Sequence, residues 1–274
     1  MNTAAVANAN APVTAQDPLL VERDARGVVT LTLNRPQAFN ALSRELLQAL
    51  RDALAPLRDD SSARVVVLRA AGKAFCAGHD LREMRPQAGS DGIAELFDLC
   101  GKVMLDLVAL PQPVIARVQG MATAAGCQLV AQCDLAVAAS DARFATSGVN
   151  LGLFCSTPSV ALARNLPRKM AMEMLLTGEF IDAATARAWG LVNRVVEPQA
   201  LDAEVESLVQ TIVAKPAQAI ALGKAQFYRQ VEMGLAGAYQ LAAQTMVCNF
   251  HEPDTLEGVQ AFLDKRPPSW QKAR

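Results

Sequence analysis

Gly72-Lys73-Ala74-Phe75-Cys76-Ala77-Gly78-His79-Asp80-Leu81 and Gln119-Gly120-Met121-Ala122-Thr123-Ala124-Ala125-Gly126-Cys127-Gln128 are two stretches of one design. Each follows a strand-like run, 64–70 for the first and 114–118 for the second. In both, Gly and Ala let another group come close to the backbone. The second runs into a helix predicted over 124–133, whose first-turn N–H groups are unpaired and lie at the positive end of the helix dipole. Two such N–H groups converging on one point would stabilise a carbonyl that turns into an enolate. Taken singly, either stretch reads first as a small-residue turn that packs strand tightly against helix.

Working outward, strand and helix signals alternate from about residue 20 onward. Over 28–34, Val29, Leu31 and Leu33 alternate with Val28, Thr30 and Thr32, which predicts a half-buried strand. Ser43 can cap a helix that carries Leu46, Leu47, Leu50, Leu54 and Leu57 on one face. Ile93, Leu96, Phe97, Cys100, Val103, Met104 and Leu107 mark a second amphipathic helix, stopped by Pro111 and Pro113. Runs at 64–70, 114–118 and 134–138 read as strands. This βαβ order predicts an α/β fold with right-handed crossovers and a largely parallel sheet. Past 193–197 the strands stop, and 201–215, 217–230, 235–251 and 255–265 read as helices. The expected division is a disordered tail over 1–17, an α/β core over 18–198 and a helical region over 199–274 suited to assembly.

Apolar residues make up 51% and charged residues 19% of the 274, a globular composition. The net charge of −1 comes from scattered residues, which argues against a nucleic-acid partner or an anionic membrane surface. No apolar run reaches the ~18 residues of a membrane span. Six cysteines occur without a C-x-x-C pair and only two histidines are present, so neither disulfides nor a metal site is expected. The segment 1–17 contains no Lys or Arg, unlike a secretory or transit leader. A reducing cytoplasm is therefore the expected setting.

The chain resembles the crotonase (enoyl-CoA hydratase/isomerase) superfamily over nearly all of 20–270. The matching pieces include Asn34-Arg35-Pro36 with Asn40-Ala41-Leu42, the whole of Lys73 to Leu81, Cys133-Asp134-Leu135-Ala136, Ala188-Trp189-Gly190-Leu191-Val192 and Glu257 to Arg266. Within it the chain looks most like the subgroup called enoyl-CoA hydratase domain-containing protein 3. The resemblance implies a ClpP/crotonase-like spiral of ββα units with a C-terminal helical trimerisation region, and trimers or hexamers. It implies an acyl-CoA thioester as substrate or ligand, with no permanently bound cofactor. The backbone N–H groups of His79 and Ala125 would form the oxyanion hole. Ala41, Leu42, Ala77, Asp80 and Leu81 would line the CoA arm, and Phe262 and Lys265 would reach a neighbouring subunit's ligand.

The chain departs from the family where the acid–base chemistry resides. Gln128 stands where hydratases carry one catalytic Glu, and Gly148 stands at the position of the second. Ser156 matches a third acidic position used by some relatives. An amide exchanges no useful proton at neutral pH, so weak or absent hydration is expected. Gly148 is expected to hold a backbone angle that other residues dislike. The His79 side chain is open to two readings. It could pair with Ser156 or Cys155 to hydrolyse a thioester, or hydrogen-bond CoA or a nearby carbonyl without chemistry. Asp80, Glu83, Glu95 and Asp98 read as capping or solvated carboxylates. Two alternatives stand beside the weak hydratase: a genuine enoyl-CoA hydratase of fatty-acid metabolism, hence a lyase, and a catalytically silent acyl-CoA binder.

Overall fold

The computed structural model describes residues 17–87 and 91–271, and the tail expected over 1–17 lies outside them but for Asp17. The chain opens with an antiparallel hairpin of β1 (Leu19–Arg23) and β2 (Val28–Leu33), with Leu19 opposite Leu33. Ser43 then accepts a hydrogen bond from the Leu46 N–H at 3.2 Å and starts α1 (Arg44–Leu54), whose Leu46, Leu47, Leu50 and Leu54 are buried. Next come β3 (Val65–Ala70), the short α2 (Leu81–Met84), α3 (Asp91–Ala109) and β4 (Val114–Val118). They are followed by β5 (Met121–Thr123), α4 (Ala125–Gln132), β6 (Leu135–Ala139) and β7 (Arg143–Ala145). Residues 139–192 contain α5 (Ser156–Asn165), α6 (Arg168–Thr177), β8 (Ile181–Asp182) and α7 (Ala183–Trp189). The last strand is β9 (Arg194–Val196), and α8 (Leu201–Val213), α9 (Ala217–Gln230), α10 (Leu235–Phe250) and α11 (Pro253–Leu263) complete the chain.

The main sheet has the order β1-β2-β3-β4-β6-β9 and is parallel from β2 onward, as βαβ order requires. A smaller sheet, β5-β7-β8, stands beside it. The chain passes from β4 in one sheet to β5 in the other through Gln119 and Gly120. A side chain at Gly120 would meet the Lys73 carbonyl oxygen at 2.0 Å, so only glycine permits this crossing.

Two sequence expectations change. β2 is not half-buried: Val29, Leu31 and Leu33 join the main core, while Val28 on the other face packs with Val65, Val67 and Ile115 under α8. α8 itself does not stand apart from the sheet. Its Leu201, Val205, Leu208 and Val209 cover the sheet face opposite α1 and α3, so the core continues past residue 198.

Beyond α8 the chain is tied back by a surface ion pair, Arg164–Glu232, and by a buried charged anchor. Lys224 of α9 donates to Asp134 Oδ2 at 2.6 Å and to the carbonyls of Leu107 and Gln112, and the Tyr228 hydroxyl donates to Asp134 Oδ1. No helix among the described residues is long and apolar enough to cross a membrane.

Candidate functional site

The two opening stretches are bonded to each other. The N–H groups of Phe75 and Cys76 both donate to the Met121 carbonyl, and the Thr123 N–H donates to the Cys76 carbonyl at 3.0 Å. Two glycines make the approach possible. A Cβ on Gly126 would lie 2.2 Å from the Cys76 oxygen, and one on Gly78 (φ +89°) would lie 2.9 Å from the Ala124 Cβ and 3.3 Å from the Ala125 nitrogen. The backbone just before His79 thus runs against the first turn of α4.

On either side of His79 the backbone is pinned to Leu42, whose N–H donates to Gly78 O at 2.7 Å and whose carbonyl accepts from Asp80 N at 3.1 Å. The His79 N–H lies between these bonds and donates to no described residue. The Ala125 N–H, at the first position of α4, is likewise unpaired among the described residues. Ala124 before it has φ +50° and ψ −121°, a conformation that carries a steric cost for any residue with a Cβ.

Both N–H groups belong to residues lining a cavity of about 340 Å³. Its walls are mainly apolar and include Leu81, Met84, Phe97, Leu151, Leu153 and Phe154. The polar lining includes His79, Ser147, Ser156 and Thr157. Burial pushes the His79 imidazole down to about 4, so the ring is neutral at physiological pH. That ring rests edge-on against Phe97 at 5.1 Å, and its Nε2 is buried with no hydrogen-bond partner among the described residues.

Of the residues singled out from sequence, Ala77, His79, Leu81, Ala125, Gly148 and Ser156 line this one cavity. Gln128 does not. It lies one turn beyond Ala125 in α4, buried, and its Oε1 has no partner among the described residues. Ala41 and Leu42 are buried behind the His79 backbone rather than on the cavity wall. Asp80 is ion-paired to Arg35 at 2.9 Å and caps α2, Glu83 accepts from the Arg44 N–H, and at the surface Glu95 pairs with Arg44 and Asp98 with Lys102. Phe262, 82% exposed, and Lys265 at the end of α11 do not line the cavity of their own chain.

The structure changes one expectation about the site and gives no support to one of the two readings of the His79 side chain. Gly148 does not have a positive φ; the reason for glycine is space, because a Cβ there would lie 2.5 Å from Leu153 O and 2.8 Å from Cys155 Sγ. A His79–Ser156 or His79–Cys155 nucleophilic pair is not assembled. The Ser156 hydroxyl donates to the Phe154 carbonyl at 3.4 Å, and burial pushes the Cys155 thiol up, away from the thiolate. The apolar wall over Leu151, Leu153 and Phe154 was missed. Its signal in the sequence is the apolar cluster Leu151, Leu153 and Phe154, which fits neither a strand nor a long-helix pattern.

The enoyl-CoA hydratase/isomerase family model matches residues 23–273, and the chain belongs to that family. Within it, the chain falls in the subgroup of enoyl-CoA hydratase domain-containing protein 3. The mitochondrial protein of that name from Xenopus laevis is 46% identical over 92% of this chain and 86% of its own length. The crystal structure of the human protein of that name superposes with a TM-score of 0.89 at 45% identity, covering 92% of this chain and all of that one. The crystal structure of an enoyl-CoA hydratase from Mycobacterium smegmatis superposes with a TM-score of 0.92 at 62% identity, covering 93% of this chain and 99% of that one. The expected crotonase-like α/β fold with a helical C-terminal region is therefore the observed one. The expected cytoplasmic setting does not stand, because the relatives from Xenopus laevis and human are named as mitochondrial proteins. Five of the six free cysteines are buried, and thiols hidden in a core record nothing of the compartment around them.

Proposed function

We propose that the cavity binds the acyl group of a coenzyme A thioester and that the His79 and Ala125 N–H groups polarise its carbonyl, with little addition of water. The observation that carries this reading is the pair of unpartnered backbone N–H groups set against each other on an apolar cavity. Preorganised donors of this kind stabilise an enolate oxygen without reorganising during the reaction. They move no protons. By resemblance to the family, its carboxylate positions fall at Gln128 and Gly148, which cannot exchange protons at neutral pH. His79, neutral and with its buried Nε2 unbonded among the described residues, is not arranged as a base. No resident cofactor is required by this chemistry. On this reading Ala41, Leu42, Ala77, Asp80 and Leu81 shape the CoA path, the protein assembles as a trimer or hexamer, and Phe262 and Lys265 reach a neighbouring copy's ligand.

One experiment tests both halves. Titration calorimetry with crotonyl-CoA and with free CoA is compared for the protein and for Ala125→Pro, which removes one donor at a helix position that tolerates proline. Crotonyl-CoA turnover is measured alongside. The expected result is preferential loss of thioester affinity in the variant, with hydration at least ~10³-fold below that of a carboxylate-bearing family hydratase. Equal loss for both ligands overturns the oxyanion assignment. Turnover of the unmodified protein at the rate of such a hydratase overturns the catalytic half.

A further inference from the structure

Part of the apolar cavity wall is carried by a stretch that packing alone does not hold. Leu81 and Met84 come from α2, and Phe97 from the second turn of α3. Of residues 81–86 and 91–95, none is buried. Met84 packs partly against the core, and the buried row of α3 begins only at Leu96. A helix of one turn is not stable by itself, so with no buried side chain its place depends on polar bonds.

Those bonds converge on one residue. Arg44, the first residue of α1, donates its main-chain N–H to Glu83 Oε2 at 2.9 Å, and its guanidinium lies 4.0 Å from Glu83 Oε1. The same guanidinium donates to the Gly92 carbonyl at 2.9 Å and pairs with Glu95 at 3.4 Å. One residue thus ties α2 and the start of α3 to a helix whose own leucines are buried. A single exposed ion pair would contribute little. Here several ties share one planar fork, whose donors are fixed relative to one another. The other tie of α2, Asp80 to Arg35, lies at its N-cap. We propose that Arg44 is a positioning residue: it holds Leu81, Met84 and Phe97 where the acyl chain packs against them, without touching the ligand itself. Arg44 does not line the cavity. This rests on the acyl-thioester reading above and assigns what sets the fit of the same site.

The test is calorimetric binding of free CoA, acetyl-CoA and hexanoyl-CoA. It is run on the unmodified protein, Arg44→Met, Arg44→Lys and Glu83→Gln, each checked for cooperative unfolding. The readout is the ratio of hexanoyl-CoA to acetyl-CoA affinity, in which the contribution of the CoA part cancels. The unmodified protein is expected to favour hexanoyl-CoA. In Arg44→Met that preference falls about tenfold, the worth of roughly two methylenes no longer buried, while free-CoA affinity changes by no more than about twofold. Arg44→Lys, which keeps the charge but not the fork, recovers part of the preference. An unchanged ratio in Arg44→Met overturns the inference and leaves the acyl-thioester reading intact. So does an equal loss for all three ligands, the mark of a general loss of structure. Equal binding of acetyl-CoA and hexanoyl-CoA by the unmodified protein also overturns the inference alone. Should Arg44→Met fail to fold, a clearly reduced preference in Glu83→Gln supports the inference and an unchanged one opposes it. Failure of both thioesters to bind overturns the acyl-thioester reading and this inference with it.

Discussion

Between pH 6.5 and pH 4 the His79 imidazole is protonated in the unfolded chain and neutral in the folded one, because burial holds its pKa down at about 4. The unfolded state binds more protons throughout that window. Stability from this residue is therefore intact above pH 6.5 and is lost as pH falls toward 4. A shift of this size is worth about 3 kcal/mol when the loss is complete. Thermal unfolding of the protein and of His79→Phe is compared at constant ionic strength across the window. The unmodified protein is expected to lose Tm more steeply. Parallel curves would show that the ring is not buried as described. The same scale explains why a carboxylate cannot simply be introduced at 148, since the Leu153 carbonyl occupies the space a Cβ would need.

Among the elements, α9 depends on a charge placed between β-strands. Asp134, just before β6, accepts from the Val114 N–H, from Lys224 and from Tyr228. Burial pulls the Lys224 ammonium down while the carboxylate beside it pushes back. Removing one partner leaves the other charge buried and unpaired, which is the expensive case. Asp134→Ala is expected to destabilise the protein by roughly 3–5 kcal/mol in urea unfolding. Combining it with Lys224→Met, which replaces the cation by a flexible apolar chain, should recover a large part of that loss. A cost under ~1 kcal/mol for Asp134→Ala would mean that α9 is held by its apolar contacts instead.

At the level of the whole molecule, the three helices after α8 present large apolar side chains to solvent. Leu235, Tyr239, Met246 and Phe250 of α10 and Phe262 of α11 are all more than half exposed. An apolar surface of this extent is what a subunit interface leaves when the partner is taken away. Light scattering at micromolar concentration is expected to give a trimer or hexamer, and Met246→Lys should shift it toward monomer. A stable monomer of the unmodified protein would overturn the assembly reading and remove the neighbour that Phe262 and Lys265 are proposed to reach.

Much of the architecture was legible because it is written in short-range terms. The leucine spacing of α1, its Ser43 cap, the valine-rich run of β3 and the helices that follow β9 each depend on residues within a few positions of one another. Family membership was legible too, since it rests on many ordered local matches. The site was legible only in part. Gly78, His79 and Ala125 stood out, but that the His79 and Ala125 N–H groups are unpaired depends on hydrogen bonds made by Leu42, Met121 and Cys76 from other parts of the chain. The burial of both faces of β2, the place of α8 on the sheet and the apolar wall from Leu151 to Phe154 were also decided in three dimensions. The physical reason is the same in each case. Periodicity tells which side chains share a face, whereas what covers that face, and whether a buried polar atom finds a partner, is set by segments the backbone brings together from far along the chain.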